Sequence, residues 1–179
     1  MNPQVYFDDG VVLVRDMTAS DAQVITEAEI AQGWHATADK YLMRLDHQRE
    51  GRCTALVAEY HGAVAGYIHI YPHSPWGAFA GEGWPEIVDF GVLEKFRRRG
   101  IGRLLVKAVM DRIAAFRPGE IVALTFTPEF FGSMGFAEIP KTKIMHKLYT
   151  GCINCTKHDN PYTCPETAMV YKGTMEEGK

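Results

Sequence analysis

Two stretches of the sequence combine residue types whose spacing can do chemistry. The first is Arg97-Arg98-Arg99-Gly100-Ile101-Gly102, which lies between the β-rich run Glu86 to Leu93 and an amphipathic run from Gly102 to Phe116. A strand, a glycine-containing turn and a helix N-terminus together present backbone N–H groups that have no intrahelical acceptor. The positive end of the helix dipole points the same way. Such a nest binds phosphate. Glycine lets a diphosphate approach the main chain, and Arg97, Arg98, Arg99 and Arg103 add charge-assisted hydrogen bonds. A bare GxG turn also fits an ordinary strand-to-helix turn dressed with solvated arginines.

The second stretch is Cys152-x-x-Cys155, followed by His158 and Cys164. Three sulfurs and an imidazole at this spacing suit tetrahedral zinc. Reduced thiols packing as small apolar residues, or a redox-labile pair, fit as well, and zinc is the less favoured reading. The rest of the chain can supply a core without a metal. The seven histidines show no HxxxH-type ligand spacing and read as surface or hydrogen-bonded residues.

The elements that must position these residues follow from periodicity. Val11 to Arg15 reads as a first strand. Thr18 and Asp21 form a capping-box-like start to a helix over Ala22 to Ala31, with Ala22, Ile25, Ala28 and Ala31 on one face and Gly33 as its left-handed terminator. A second helix spans Ala38 to Glu50. Cys53 to Tyr60 and Val64 to Tyr71 form a hairpin about His61-Gly62. After a loop from His73 to Pro85 come the Glu86 to Leu93 strand and a helix from Gly102 to Phe116, with Leu104, Leu105, Ala108, Val109 and Ile113 as its inner stripe. A strand over Ile121 to Phe126 leads to a short helix capped by Thr127, with Pro128 first and Gly135 ending it. Strands near Phe136 to Ile139 and Ala168 to Lys172 close the chain. This order describes an α/β fold, a mixed central sheet flanked by helices, with a parallel crossover in its middle. It is read as a single domain over 1–179, with a core over 10–140 and a cysteine-containing segment over 141–179.

The string Arg97 to Gly102 resembles the arginine/glutamine-x-x-glycine-x-glycine pattern of the GNAT superfamily of acetyl-CoA-dependent N-acetyltransferases. Phe130-Phe131-Gly132-Ser133-Met134-Gly135-Phe136 is similar to that family's second signature, a short helix ending in glycine-phenylalanine. The resemblance covers roughly residues 10–140. It implies that backbone amides around Arg98 to Arg103, including Gly100, Ile101 and Gly102, hold the coenzyme A pyrophosphate. It also implies that the pantetheine arm lies along Asp89 to Leu93, bonded near Phe90 and Val92, with Gly91 suited to a bulge. The oxyanion-stabilising N–H would lie near Phe90 to Val92.

Acetyl transfer to an amine also needs a base. Glu86 is the first candidate, by its spacing to Arg97 in the histone-acetyltransferase branch of the family, and Asp89 is the second. Because side chains alternate, only one of them serves in a regular strand. The alternative for Glu86 is a residue that merely starts the strand and pairs with a surface cation. Where many relatives carry a thiolate-protonating tyrosine, this chain has Phe131, which cannot donate. Ser133, Tyr149, Tyr171 or water stand as substitutes, or the thiolate leaves unprotonated. Residues 126–172 also resemble short bacterial amino-acid N-acetyltransferases of the N-acetylglutamate synthase type, which makes glutamate a hypothesis for the acceptor.

Trp34, Trp76, Phe79 and Trp84 are candidates for the acceptor pocket or for packing on the core. For a carboxylate-bearing acceptor, Arg15, Lys40, Arg44 and Lys141 are candidate cations. The expected function is transfer of acetyl from acetyl-CoA to the primary amine of a small molecule. The alternative is a non-catalytic acyl-CoA-binding or sensor protein on the same fold.

Lysine and arginine number 19 against 22 acidic residues, so the net charge of −3 gives no global attraction to nucleic acid or membrane, and neither is an expected partner. No basic region leads into an apolar run at the N-terminus, and no stretch approaches a membrane span, so the expected compartment is the cytoplasm. A homodimer stays open.

Overall fold

A computed structural model of the chain describes residues 2–72, 85–114, 120–144, 148, 152, 155, 160–161 and 163–172, excluding the side chains of 113, 114, 120 and 172. Strands β1 (Val5–Asp8) and β2 (Val12–Asp16) come first, then helices α1 (Ala19–Ala31) and α2 (Ala38–Arg49). Strands β3 (Thr54–Tyr60), β4 (Ala63–Tyr71) and β5 (Glu86–Val92) follow, then a 3-10 turn at Glu94–Phe96 and helix α3 (Ile101–Ala114). The chain continues through β6 (Glu120–Thr125), α4 (Pro128–Ser133), β7 (Phe136–Glu138), a 3-10 turn at Lys141–Ile144 and β8 (Thr167–Lys172). The strands form one mixed eight-stranded sheet in the order β1-β2-β3-β4-β5-β6-β8-β7.

The chain divides into two compact units, Met1–Ile70 with Asp89–Arg112, and Tyr71–Val88 with Ile113–Lys179. In the first unit, β1 to β4 pair antiparallel in sequence. The β3–β4 turn closes on His61 (φ 48°) and Gly62 (φ 80°), both left-handed, as a two-residue hairpin with the right twist requires. Helix α1 begins where the Asp21 carboxylate accepts a hydrogen bond from the Thr18 backbone N–H at 2.7 Å, and ends at Gly33 (φ 81°). It packs on α2. Ile101, Leu105, Val106, Ala108 and Val109 bury one face of α3. Burial of a leucine or valine side chain there stabilises by about 1.5–3 kcal/mol.

In the second unit, β6 runs parallel to β5, with Glu86 opposite Val122 and Ile87 opposite Ala123. It runs antiparallel to β8, which also pairs with β7. Val122, Ile144, Leu148, Ala168 and Val170 form its core, with Leu124, Ile139 and Cys152 packed against them.

The structure departs from the sequence reading in three places. Strand β1 is additional, and the Tyr6 hydroxyl ties it to Asp16 at 2.9 Å. The inner face of α1 is not an alanine stripe. Ala31 is exposed, while Thr26 and Glu29 are buried beside Ala22 and Ile25. On α3, Val106 is buried and Leu104 only half-buried. Among the described residues, no helix is long and apolar enough to cross a membrane.

Candidate active site

The turn between β5 and α3 carries two left-handed residues. Arg98 (φ 62°) and Gly100 (φ 77°) are both left-handed, and Arg98 is one of two non-glycine residues with positive φ among those described. Helix α3 starts at Ile101, so its first-turn N–H groups lack intrahelical acceptors. Arg97 donates from Nε to the Val92 carbonyl at 3.2 Å, which leads the chain out of β5. The Arg99 guanidinium lies 4.9 Å over the Tyr60 ring. Gly102 and Arg103 occupy the first turn of α3. The residues expected from sequence to form a diphosphate cradle are therefore brought together within one unit.

The first unit also holds a largely buried polar cluster that periodicity did not reveal. Asp89 on β5 is its hub. Lys40 Nζ lies 2.7 Å from Asp89 Oδ1, while Arg44 Nε donates to Oδ2 at 2.9 Å. His69 Nδ1 is also 2.9 Å from Oδ2. One turn of α1 away from Ile25, Glu29 accepts the Tyr67 hydroxyl at 2.9 Å and lies 3.9 Å from Lys40 Nζ. Tyr41 packs against both Tyr67 and His69.

Burial alone would raise the Asp89 carboxyl. The His69 hydrogen bond and the charges of Lys40 and Arg44 outweigh it and hold Asp89 well below the usual carboxylate range. Burial lowers His69 below the ordinary histidine value, against the raising effect of Asp89. The Tyr67 phenol is raised, first by burial and then by the Glu29 carboxylate; Tyr41 is raised by burial and the same carboxylate.

Gly91 stands against this cluster. A Cβ built there would meet the Tyr67 hydroxyl oxygen at 2.7 Å, so glycine at 91 is required by side-chain room. Phe90 and Val92, its neighbours on β5, are half-buried.

Of the two proposed bases, Glu86 is 2% exposed at the start of β5 and belongs to the second unit, whereas Asp89 belongs to the first. Asp89 is held in its charged form by two cations and an imidazole, which makes it a weak proton acceptor. Among the candidate cations, Arg15 is committed to Asp21 and Glu59, and Lys141 to the carbonyls of Cys164 and Pro161. Trp34 is 37% exposed just beyond α1. Trp76, Phe79, Trp84, Tyr149 and His158 lie outside the described residues.

In the second unit, Phe131 is 2% exposed and packs edge-on to Phe130 and Phe136. It is a packing residue. Ser133 Oγ donates to the Phe130 carbonyl at 2.6 Å, and Tyr171 packs on Phe136. Cys152, Cys155 and Cys164, none of them in a disulfide, line a small cavity with Lys141 and Glu166. Burial pushes the Cys164 thiol up. Among the described residues, no group of three or more ligand-type side chains has an arrangement suited to a metal ion.

The sequence model of the acetyltransferase (GNAT) family matches residues 21–138, a span that runs through both units. The chain belongs to the GNAT acetyltransferase family. An uncharacterized N-acetyltransferase of Chlorobaculum tepidum is 32% identical to it over 157 residues, covering 88% of this chain and 94% of the relative. Among solved structures, N-acetylglutamate synthase from Neisseria gonorrhoeae, complexed with coenzyme A and N-acetyl-glutamate, has a TM-score of 0.65 at 16% identity over 92% of this chain. This chain spans only 36% of that synthase. A putative acetyltransferase of Salmonella typhimurium, with its cofactor acetyl-CoA, matches at a TM-score of 0.65 and 18% identity, covering 91% of this chain and 94% of the other. This GNAT protein is therefore an acetyl-CoA-dependent N-acetyltransferase, with the mixed sheet and flanking helices of its family.

Proposed function

We propose that this enzyme transfers acetyl from acetyl-CoA to the primary amine of a small molecule, by direct attack of the amine on the thioester. The observation that carries the reading is the left-handed pair Arg98 and Gly100 opening α3 within the RRRGIG string. In this reading the N–H groups around Arg98 to Arg103 bind the diphosphate and the arginines neutralise it. Phe90 and Val92 offer main-chain groups to the pantetheine arm. An N–H near Gly91 stabilises the oxyanion, a contribution of about 2.7–4 kcal/mol to the barrier for such a donor.

An amino acid such as glutamate is the acceptor class we carry forward, on the resemblance of residues 126–172 to amino-acid acetyltransferases. A carboxylate-bearing acceptor needs a cation. Lys40 is the best of the four candidates, since 35% of its side chain stays exposed while its ammonium sits at the polar cluster. Trp34 is retained as a pocket residue on the adjoining turn. Glu86 remains a candidate for direct proton removal.

A specific observation favours a second reading, a non-catalytic acyl-CoA sensor. On the short helix α4, Phe131 has no proton to give a leaving thiolate, and the Ser133 hydroxyl donates to the Phe130 carbonyl. Incubation with acetyl-CoA and a panel of amino acids, polyamines and peptides separates the two. Amine-dependent release of free thiol supports the transferase. Coenzyme binding without thiol release across the panel supports the sensor.

A further inference from the structure

We infer that His69, oriented by Asp89, is the general base that takes the proton from the acceptor ammonium. This inference rests on the transferase reading of the same site. His69 is 0% exposed on β4, and its two ring nitrogens are treated differently. Nδ1 lies 2.9 Å from Asp89 Oδ2. An ionised carboxylate only accepts, so Nδ1 carries the hydrogen and the lone pair is left on Nε2. That Nε2 has no hydrogen-bond partner among the described residues, although it is buried. An unsatisfied buried acceptor is costly, and a donor that arrives during function accounts for one in a native fold. The donor that fits is an N–H of the acceptor ammonium, reached directly or through one water.

Charges around the ring suit this role. Asp89 faces it from β5, Lys40 and Arg44 from α2, and the cluster is completed by Tyr41 on α2, Tyr67 on β4 and Glu29 on α1. Two carboxylates and two cations balance, so the resting imidazole is neutral, as its burial also favours. A proton arriving on Nε2 makes an imidazolium whose charge Asp89 meets through Nδ1–H, while Lys40 and Arg44 keep Asp89 itself ionised. Asp89 is thus a positioning residue.

The acceptor R–NH3+ gives one proton to His69 Nε2, and that proton passes on to solvent. The resulting amine forms a C–N bond to the thioester carbonyl carbon, and the C–S bond breaks. The second proton leaves the nitrogen after bond formation and ends on the coenzyme sulfur, giving amide and free thiol. His69 is neutral again at the end.

Two variants test the assignment. His69→Asn keeps a donor to Asp89 and removes the Nε2 base. His69→Gln places an amide group near Nε2, and stands in if the first variant fails to fold. With an acceptor found by thiol release, kcat at saturating substrates is followed against pH. Wild type is expected to lose rate on an acid limb below about pH 6.5. Each variant is expected to fall by about 10²- to 10⁴-fold and to lack that limb, with acetyl-CoA affinity by calorimetry unchanged. Wild-type rate and limb in His69→Asn would overturn the proposal. Loss of the limb in Glu86→Gln alone would transfer the role to Glu86 and leave the transferase reading intact. If no amine releases thiol, the transferase reading fails, and 15N-histidine spectra still judge the tautomer. They are expected to show Nδ1–H and titration below about pH 6.5, whereas an Nε2–H tautomer would overturn the assignment.

Discussion

Asp89 has the most heavily contacted carboxylate in the described site, and its partners decide what it can do. With Lys40, Arg44 and His69 all within 2.9 Å, its loss takes a carboxylate from the buried Arg44 guanidinium and the half-buried Lys40 ammonium. Asp89→Asn is therefore expected to destabilise by about 3–5 kcal/mol, read as a shift of the denaturant midpoint; a shift under about 1 kcal/mol would contradict the network. Protonation acts on the same cluster. The folded-state value of His69 is lowered, so its contribution to stability is fully present above the unfolded value of about 6.5 and is lost as pH falls through the folded value. Acid unfolding scanned from pH 7 to 5 is expected to show decreasing stability for wild type and a weaker slope for His69→Asn. Asp89 was legible in the sequence as a polar residue on a strand beside the glycine turn. Glu29 and His69 were not. A glutamate within an alanine-rich helix reads as solvated, and its partner here is a hydroxyl 38 residues away on β4. His69 lies in an apolar run without ligand spacing, so only its pairing with Asp89 singles it out.

Among elements, the β5–turn–α3 unit was the most legible, because its signals are local. The β-rich run, the glycines and the helical stripe each specify their own conformation, and the observed bounds agree with the expected ones to within a residue or two. The reason for Gly91 was not legible, since it depends on Tyr67 from the neighbouring strand. Gly91→Ala places a methyl against an anchored ring and is expected to cost about 1–3 kcal/mol, with Tyr67→Phe relieving part of it by removing the nearest atom. A Gly91→Ala protein with wild-type melting would show that the ring yields freely. Strand β1 escaped sequence reading because it is four residues long and mostly partner-dependent. Its pairing with β2 is what defines it, and its end residues are exposed.

At the scale of the molecule, the family match runs through both compact units, while the polar cluster and the glycine turn lie in the first. While Cys53 lies in the first, the second unit carries Cys152, Cys155 and Cys164. Its cavity is lined in part by these three cysteines, and the Lys141 ammonium sits 2.6 Å from the Cys164 carbonyl at the same cavity, which disfavours a further cation. Protein purified without added zinc is expected to carry under about a tenth of an equivalent of metal; a full equivalent lost on Cys155→Ser would establish a structural site. Calorimetric titration of acetyl-CoA into wild type and Gly102→Glu tests the diphosphate cradle most directly. The variant puts a carboxylate into the first turn of α3. It is expected to keep its melting temperature and to bind at least about tenfold more weakly, a loss of about 1.4 kcal/mol or more. Equal affinity in the two proteins would mean that the coenzyme's diphosphate docks elsewhere.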